Sequence, residues 1–314
     1  PLNRIVAELS RIARVPSYQI NEDTNLEGDL GLDSLMQVEL LLILESELDQ
    51  ILPDNLVTNI KTVGDVVTVI NTLQSSKDPL ASPTKVNSHQ ANIQNKTQSK
   101  IFRFGMGLIY NQVFSFRVEG LNYIPQNEPC IIAPNHSSHL DTGAIITALG
   151  DESERLKVLG ARDYFFDTSF KSWFFGTLMN VLPLDRTDNF LQGVRIAQEA
   201  LSSGCSLLIY PEGTRSITGE LQEFRSGLGL LSYEAQVPII PAYIKGSYQA
   251  LPKGQNFPRP SSISVSFGSP IRPTANDILK SGNAHQKYRK IASQVRDAII
   301  TLQSQAKTDL SNNQ

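Results

Sequence analysis

The chain has 314 residues, a hydrophobic fraction of 40% and a formal net charge of −3, which suits about two globular domains with ordinary cores. The near-neutral balance and the lack of a basic–aromatic module argue against a nucleic-acid partner. No apolar run reaches the roughly 20 residues that cross a bilayer as a helix. Charge is unevenly spread. Residues 1–75 hold 12 of the 31 acidic and 4 of the 28 basic side chains, a net −8, leaving +5 for residues 76–314. Cys130 and Cys205 sit in apolar surroundings without metal or redox spacing, so they are expected to be reduced core thiols of a cytosolic protein. The start lacks the pattern of a signal peptide, and Pro1 in place of Met suggests a cut from a longer polypeptide.

Along residues 2–14, "LNRIVAELSRIAR", the positions Leu2, Ile5, Val6, Leu9 and Ile12 fall on one face of a predicted helix. "SLMQVELLLILESEL" (34–48) predicts a second, strongly apolar helix, with Ser34 as N-cap and Asp33 beside the positive helix start. "TVGDVVTVINTL" (62–73) predicts another, so residues 1–75 are expected to form a small helical bundle. Residues 76–100 are polar and aperiodic and read as a flexible linker spanning about 25–30 Å. Beyond it, strands are expected at "CIIAP" (130–134), "SLLIYP" (206–211), "VPIIPAYI" (237–244) and "SISVSFG" (262–268). A helix is expected over 189–202, and a terminal helix over about 284–305. Alternating strands and helices predict an α/β domain over 101–306, with functional residues just past the strand ends and a loose tail over 307–314.

A serine at a helix start is explained by N-capping alone, so Ser34 gains meaning only from its surroundings. "NLEGDLGLDSLMQVELLLILESEL", in a small acidic bundle, resembles the phosphopantetheine attachment region of acyl and peptidyl carrier proteins. The resemblance implies an all-α four-helix bundle and a 4′-phosphopantetheine joined to Ser34 by a phosphopantetheinyl transferase, with a fatty acyl thioester at its far end. A phosphodiester there would lie at a helix N-terminus, where free N–H groups favour an anion. Glu39, Glu45 and Glu47 would offer charge to basic partners.

The stretch "APNHSSHLDT" follows the first buried strand and separates His136 from Asp141 by four residues, with His139 among them. An imidazole beside a carboxylate is the minimum machinery for general base catalysis. A structural hydrogen bond is the plain alternative. Metal ligation by His136, His139 and Asp141 lacks a recognised spacing, and a serine-hydrolase triad lacks its G-x-S-x-G elbow. "PLDR" (183–186), "YPEGTRS" (210–216) and "VPIIPA" (237–242), a strand bounded by prolines, follow in order. With the histidine motif they resemble the four sequence blocks of the glycerolphosphate and lysophosphatidate acyltransferase family, over about residues 101–270. That family implies His136 as general base, Asp141 as its orienting partner, and Arg186, Glu212, Gly213, Thr214 and Arg215 as acceptor-binding residues, commonly through a phosphate. Guanidinium groups suit bidentate phosphate recognition on independent grounds. The block carrying Arg186 departs most from the family pattern, and His139 is an addition to it, expected to be structural or pocket-lining. No metal is implied.

The fusion suggests that the acyl chain passes from the carrier's own pantetheine to a hydroxyl acceptor, a glycerophosphate or lysophospholipid, since tethering raises the donor to about millimolar effective concentration. Two alternatives stand beside it. Coenzyme A thioesters could feed the transferase while the carrier serves another enzyme, or the module could deliver acyl groups without catalysis. Nothing in the chain can activate a fatty acid, so an acyl-activating enzyme or upstream domain is an implied partner. Two aromatic stretches, 101–116 and 164–184, could pack on the core or lie in a membrane interface. The latter would make the protein peripheral on the inner face of the cytoplasmic membrane.

Overall fold

The computed structural model describes residues 2–13, 15–32, 37, 40, 44, 60–75, 95–161, 179–184, 190–255, 257–273 and 284–311. Ser34, Arg186, Glu39, Glu45, Glu47, the expected linker over 76–94 and most of the second aromatic stretch lie outside them. The chain divides into two compact units, one built on Pro1–Ala91 and the other on Asn92–Leu184 and Val194–Thr274.

In the first unit, helix α1 (Leu2–Ala13) buries Ile5 and Leu9, two positions of its apolar face. Helix α2 (Val63–Ser75) buries Val63, Val66 and Ile70 at the same 3.6-residue period. Gln37, Leu40 and Leu44 are helical, and Leu40 and Leu44 are buried. Between these elements the chain is tied down by its own short polar side chains. Asn25 Oδ1 accepts the backbone N–H groups of Glu27 and Gly28 at 3.0 and 2.7 Å, and Asp29 Oδ2 accepts that of Asn25 at 2.8 Å. The resulting turn buries Leu26, Leu30 and Leu32. It also gives carbonyls to α2: Val63 N donates to Thr24 O and Gly64 N to Glu22 O, so two of the donors that every helix start leaves open are satisfied by the loop.

The second unit is an α/β layer structure around a seven-stranded sheet of order β1-β7-β6-β2-β5-β3-β4. Its strands are β1 (Arg117–Glu119), β2 (Ile131–Pro134), β3 (Leu156–Ala161), β4 (Val181–Leu184), β5 (Ser206–Leu208), β6 (Ile239–Lys245) and β7 (Ser264–Phe267). Every pair is parallel except β6 with β7. The helices are α3 (Asn95–Val113), α4 (Leu140–Leu149), α5 (Phe190–Ser202), α6 (Gly227–Ala235) and α7 (Ala284–Ser311), with one helical turn at Ser247–Ala250. Central strands covered on both faces read as continuous apolar runs, and β2 is buried at all four positions. Helix α5 turns Val194, Ala197 and Leu201 inward, and α7 does so with Tyr288, Ile291, Ala292, Val295 and Ile299.

Several boundaries differ from expectation. Helix α3 begins at Asn95, inside the stretch read as linker, because its apolar pattern starts only at Ile101. Helix α7 continues to Ser311, through most of the stretch read as a loose tail. The strand expected over "VPIIPAYI" (237–244) is β6, which starts two residues later, at Ile239, and runs through Pro241 to Lys245. A proline can sit there because the β7 ladder begins one residue later, at Ala242, and because Pro241 keeps its carbonyl, which accepts from Gly268 N at 2.8 Å. Cys130 is 1% exposed and burial pushes its thiol pKa up. Cys205, expected in the core, is only partly buried.

Candidate active site

The neighbouring parallel strands β6, β2 and β5 end at one edge of the sheet, the place where open α/β sheets bind ligands. Asn135, the residue after β2, donates to Ile244 O at 3.0 Å and accepts from Ile244 N at 2.7 Å, so one buried amide ties the β2 turn to β6. Asp141 enters in the first turn of α4 and is wholly buried. Its Oδ2 accepts the backbone N–H groups of Ser137 and Ser138 at 2.7 and 2.8 Å and lies 2.9 Å from His136 Nδ1. A buried carboxylate must find such donors or be neutralised. The acceptor at Nδ1 fixes the tautomer with its proton on that nitrogen and leaves Nε2 basic. The His136 side chain is 18% exposed, so the imidazole stands at the surface while its partner does not.

The chain leaving β5 closes over this turn. Tyr210 stacks on His136, with ring centroids 3.8 Å apart and planes at 21°, and its hydroxyl lies 2.8 Å from Thr142 Oγ1. Burial, then the charge of Asp141, pushes the Tyr210 phenol pKa well up. Glu212, 5% exposed, spends one carboxylate oxygen on His136 N at 2.7 Å and the other on Gln222 N at 3.1 Å. Burial raises its pKa and those two bonds oppose the shift. Gly213 turns the chain at φ +72°, where a Cβ would strain the backbone and stand 2.6 Å from Arg225 Nε, so glycine is favoured there. Thr214 is exposed, and Arg215 keeps a buried Nη1 without a hydrogen-bond partner. Ser216 N donates to His136 O at 2.8 Å, so both backbone groups of the histidine are held from the β5 side. Desolvation first, then the charges of Arg215 and His136, holds the His139 pKa below the usual histidine range.

The fold therefore brings His136, Asp141, Glu212, Gly213 and Arg215 to one sheet edge from stretches about 75 residues apart in sequence. Sequence reasoning passed over Tyr210 and Thr142. Their signal was modest: an aromatic directly before Pro-Glu-Gly and a hydroxyl directly after the aspartate. Glu212, expected at the acceptor, has both oxygens on backbone donors.

Residues 115–245 match the acyltransferase family and residues 3–70 the phosphopantetheine attachment site family. A probable 1-acyl-sn-glycerol-3-phosphate acyltransferase of Mycoplasma pneumoniae is 30% identical over 186 residues, 54% of this chain and 68% of that protein. The chloroplastic 1-acyl-sn-glycerol-3-phosphate acyltransferase of Brassica napus is 27% identical over 166 residues, 52% of this chain and 46% of the relative. The chain thus spans about half the length of its chloroplast relatives. The crystal structure of the 1-acyl-sn-glycerophosphate acyltransferase PlsC from Thermotoga maritima shares the fold, with a TM-score of 0.55 at 22% identity over 68% of this chain and 81% of that one. The chain belongs to the acyltransferase family, with a phosphopantetheine attachment domain preceding its acyltransferase domain.

Proposed function

We propose that the protein is an O-acyltransferase that moves a fatty acyl group from a pantetheine thioester on Ser34 to the hydroxyl of a glycerophosphate or lysophospholipid. The carrier would occupy residues 1–75, tethered by the stretch that follows to a catalytic domain that opens with α3 at Asn95 and closes with α7. The observation that carries this reading is the His136–Asp141 pair, held at 2.9 Å by a wholly buried carboxylate. His136 Nε2 takes the proton of the acceptor hydroxyl as its oxygen attacks the thioester carbonyl. The tetrahedral oxyanion collapses, the carbon–sulfur bond breaks, and the imidazolium returns the proton to the departing thiolate. Thioesters are reactive, so orientation and base catalysis supply most of the acceleration. Arg215, with its buried unpartnered Nη1, is suited to the acceptor's phosphate, and Arg186 is assigned the same role by resemblance. Glu212 serves the acceptor by holding the turn that carries Arg215, with Gly213 and Thr214 completing that turn.

A membrane supplies such an acceptor. No helix among the described residues is long and apolar enough to cross one. Helix α3 exposes Ile101, Phe104, Leu108, Ile109 and Val113, to which a peripheral seat on the inner face of the cytoplasmic membrane is assigned.

The test is a single-turnover assay of the full chain, loaded by a phosphopantetheinyl transferase with a fatty acyl-pantetheine and offered lysophosphatidate. Transfer is expected from wild type, with His136→Ala loading normally but transferring nothing. Faster turnover from free acyl-coenzyme A, unchanged in Ser34→Ala, would assign the carrier to another enzyme. Near-normal transfer by His136→Ala would refute the catalytic assignment.

A further inference from the structure

We infer that Tyr210 is a positioning residue for the catalytic base, acting through the face of its ring on His136 and held in place by Thr142. The inference rests on the reading of His136 as general base.

A carboxylate at Nδ1 fixes one atom of an imidazole but leaves the ring able to swing about that hydrogen bond. The stack at 3.8 Å and 21° removes this freedom by fixing the plane. The tyrosine is itself fixed, since its hydroxyl pairs with Thr142 Oγ1, the residue after Asp141. Thr142 and Asp141 share the first turn of α4, so one helical turn sets both the edge and the face of the imidazole. Nε2 is then aimed by two contacts from two sides of the sheet edge. The ring also meets charge. When the base takes the acceptor's proton it becomes a cation lying on a π face, which attracts it through the ring quadrupole. Burial keeps the phenol neutral, so the stack offers a quadrupole and no competing negative charge.

Tyr210→Phe keeps the stack and loses the tie to Thr142; Thr142→Val loses the same tie from the other side; Tyr210→Leu loses the stack.

The experiment measures kcat and acceptor KM for the full chain and these variants, together with the imidazole proton resonances. The chain has four histidines, so single His→Gln variants assign them. Expected for Tyr210→Leu is a fall in kcat of about tenfold at unchanged acceptor KM. Tyr210→Phe and Thr142→Val should each lose about two- to threefold. The ring current should shift the His136 protons upfield in wild type and Tyr210→Phe and not in Tyr210→Leu. Wild-type kcat in Tyr210→Leu, or Tyr210→Phe as impaired as Tyr210→Leu, would overturn the inference. Retained transfer by His136→Ala would instead remove the general-base reading and leave the resonance shift in place.

Discussion

Asp65 and Asp141 do the same thing at two helix starts. Asp65, in the first turn of α2, reaches back to the backbone N–H groups of Lys61 and Thr62 at 2.9 and 2.8 Å. Asp141, in the first turn of α4, reaches back to those of Ser137 and Ser138 at 2.7 and 2.8 Å. Each takes the residues four and three positions earlier, and each satisfies donors that a helix start leaves open. The difference is what else the carboxylate holds. Asp65 is partly exposed and its partners are Lys61 and Thr62. Asp141 is wholly buried and its Oδ2 adds a third partner, the imidazole of His136. Under the proposed function, a common capping device becomes catalytic machinery by burial plus one histidine placed one residue further back.

Asparagine at the two positions separates capping from catalysis most sharply. An amide oxygen still accepts backbone N–H groups, so Asp65→Asn is expected to leave transfer within about twofold. At Asp141 a single oxygen, Oδ2, takes both backbone N–H groups and the imidazole, so an asparagine with its amide oxygen there keeps the cap and the tautomer but loses the negative charge that supports the imidazolium. Asp141→Asn is therefore expected to reduce single-turnover transfer about 10²- to 10⁴-fold with the fold retained by circular dichroism, the range of general base catalysis. A loss below tenfold would mean that Asp141 is a cap and nothing more.

Arg215 gives the next largest effect. The helix start at Asp141 lies near the β5 turn, whose Arg215 leaves a buried Nη1 without a hydrogen-bond partner. Arg215→Ala is expected to raise KM for a phosphate-bearing acceptor about 10- to 100-fold, the worth of one or two charge-assisted hydrogen bonds. An acceptor lacking the phosphate should show no such change. An equal loss for both acceptors would assign Arg215 to the fold of the turn.

How far these sites could be read from sequence follows from the same physics. The β2 strand and its His-Asp turn were legible because a short apolar run that stops abruptly at polar and charged residues marks a buried strand reaching a sheet edge. The Asp-Ser-Leu region was legible through its neighbours, not through the serine. Helix α4 was not foreseen: Leu140–Leu149 is buried on nearly all sides, so it has no polar face to give a 3.6-residue period. Strands β1, β3 and β4 escaped because three to six residues with a charge or proline among them carry little alternation. The stack of Tyr210 on His136 joins residues 74 positions apart. Only the parallel register of β2 with β5 brings them together, and no local pattern encodes it. Glu212 shows the converse: its motif was plain, yet its partners are backbone groups that sequence does not display.

The two helix starts also differ in how closely other chain approaches them. Gly143, two residues after Asp141, faces Tyr110 on α3: a Cβ there would lie 2.5 Å from the hydroxyl, which donates to Leu140 O. Gly143→Ala is expected to destabilise the catalytic unit by about 1–3 kcal/mol through overpacking, seen as a lowered midpoint of thermal unfolding. Adding Tyr110→Phe removes the nearest atom and should recover part of that loss. An additive double variant would place the strain elsewhere.

Acid is the smallest and most specific probe of the comparison. Backbone N–H groups of Lys61 and then Thr62 hold the Asp65 carboxyl below the usual aspartate range. With a folded pKa lower than the unfolded one, Asp65 contributes its full stabilisation above the ordinary aspartate value near ~3.9. That contribution is lost as pH falls through the depressed folded value. Amide hydrogen exchange at Val63, Gly64 and Val66, at the start of α2, should therefore accelerate on acidification below about pH 4, after correction for intrinsic exchange. In Asp65→Asn the same amides should exchange somewhat faster at neutral pH and show a flatter acid response. Equal acid responses in the two proteins would mean that the loop carbonyls of Thr24 and Glu22, which take Val63 N and Gly64 N, hold this helix start without the carboxylate.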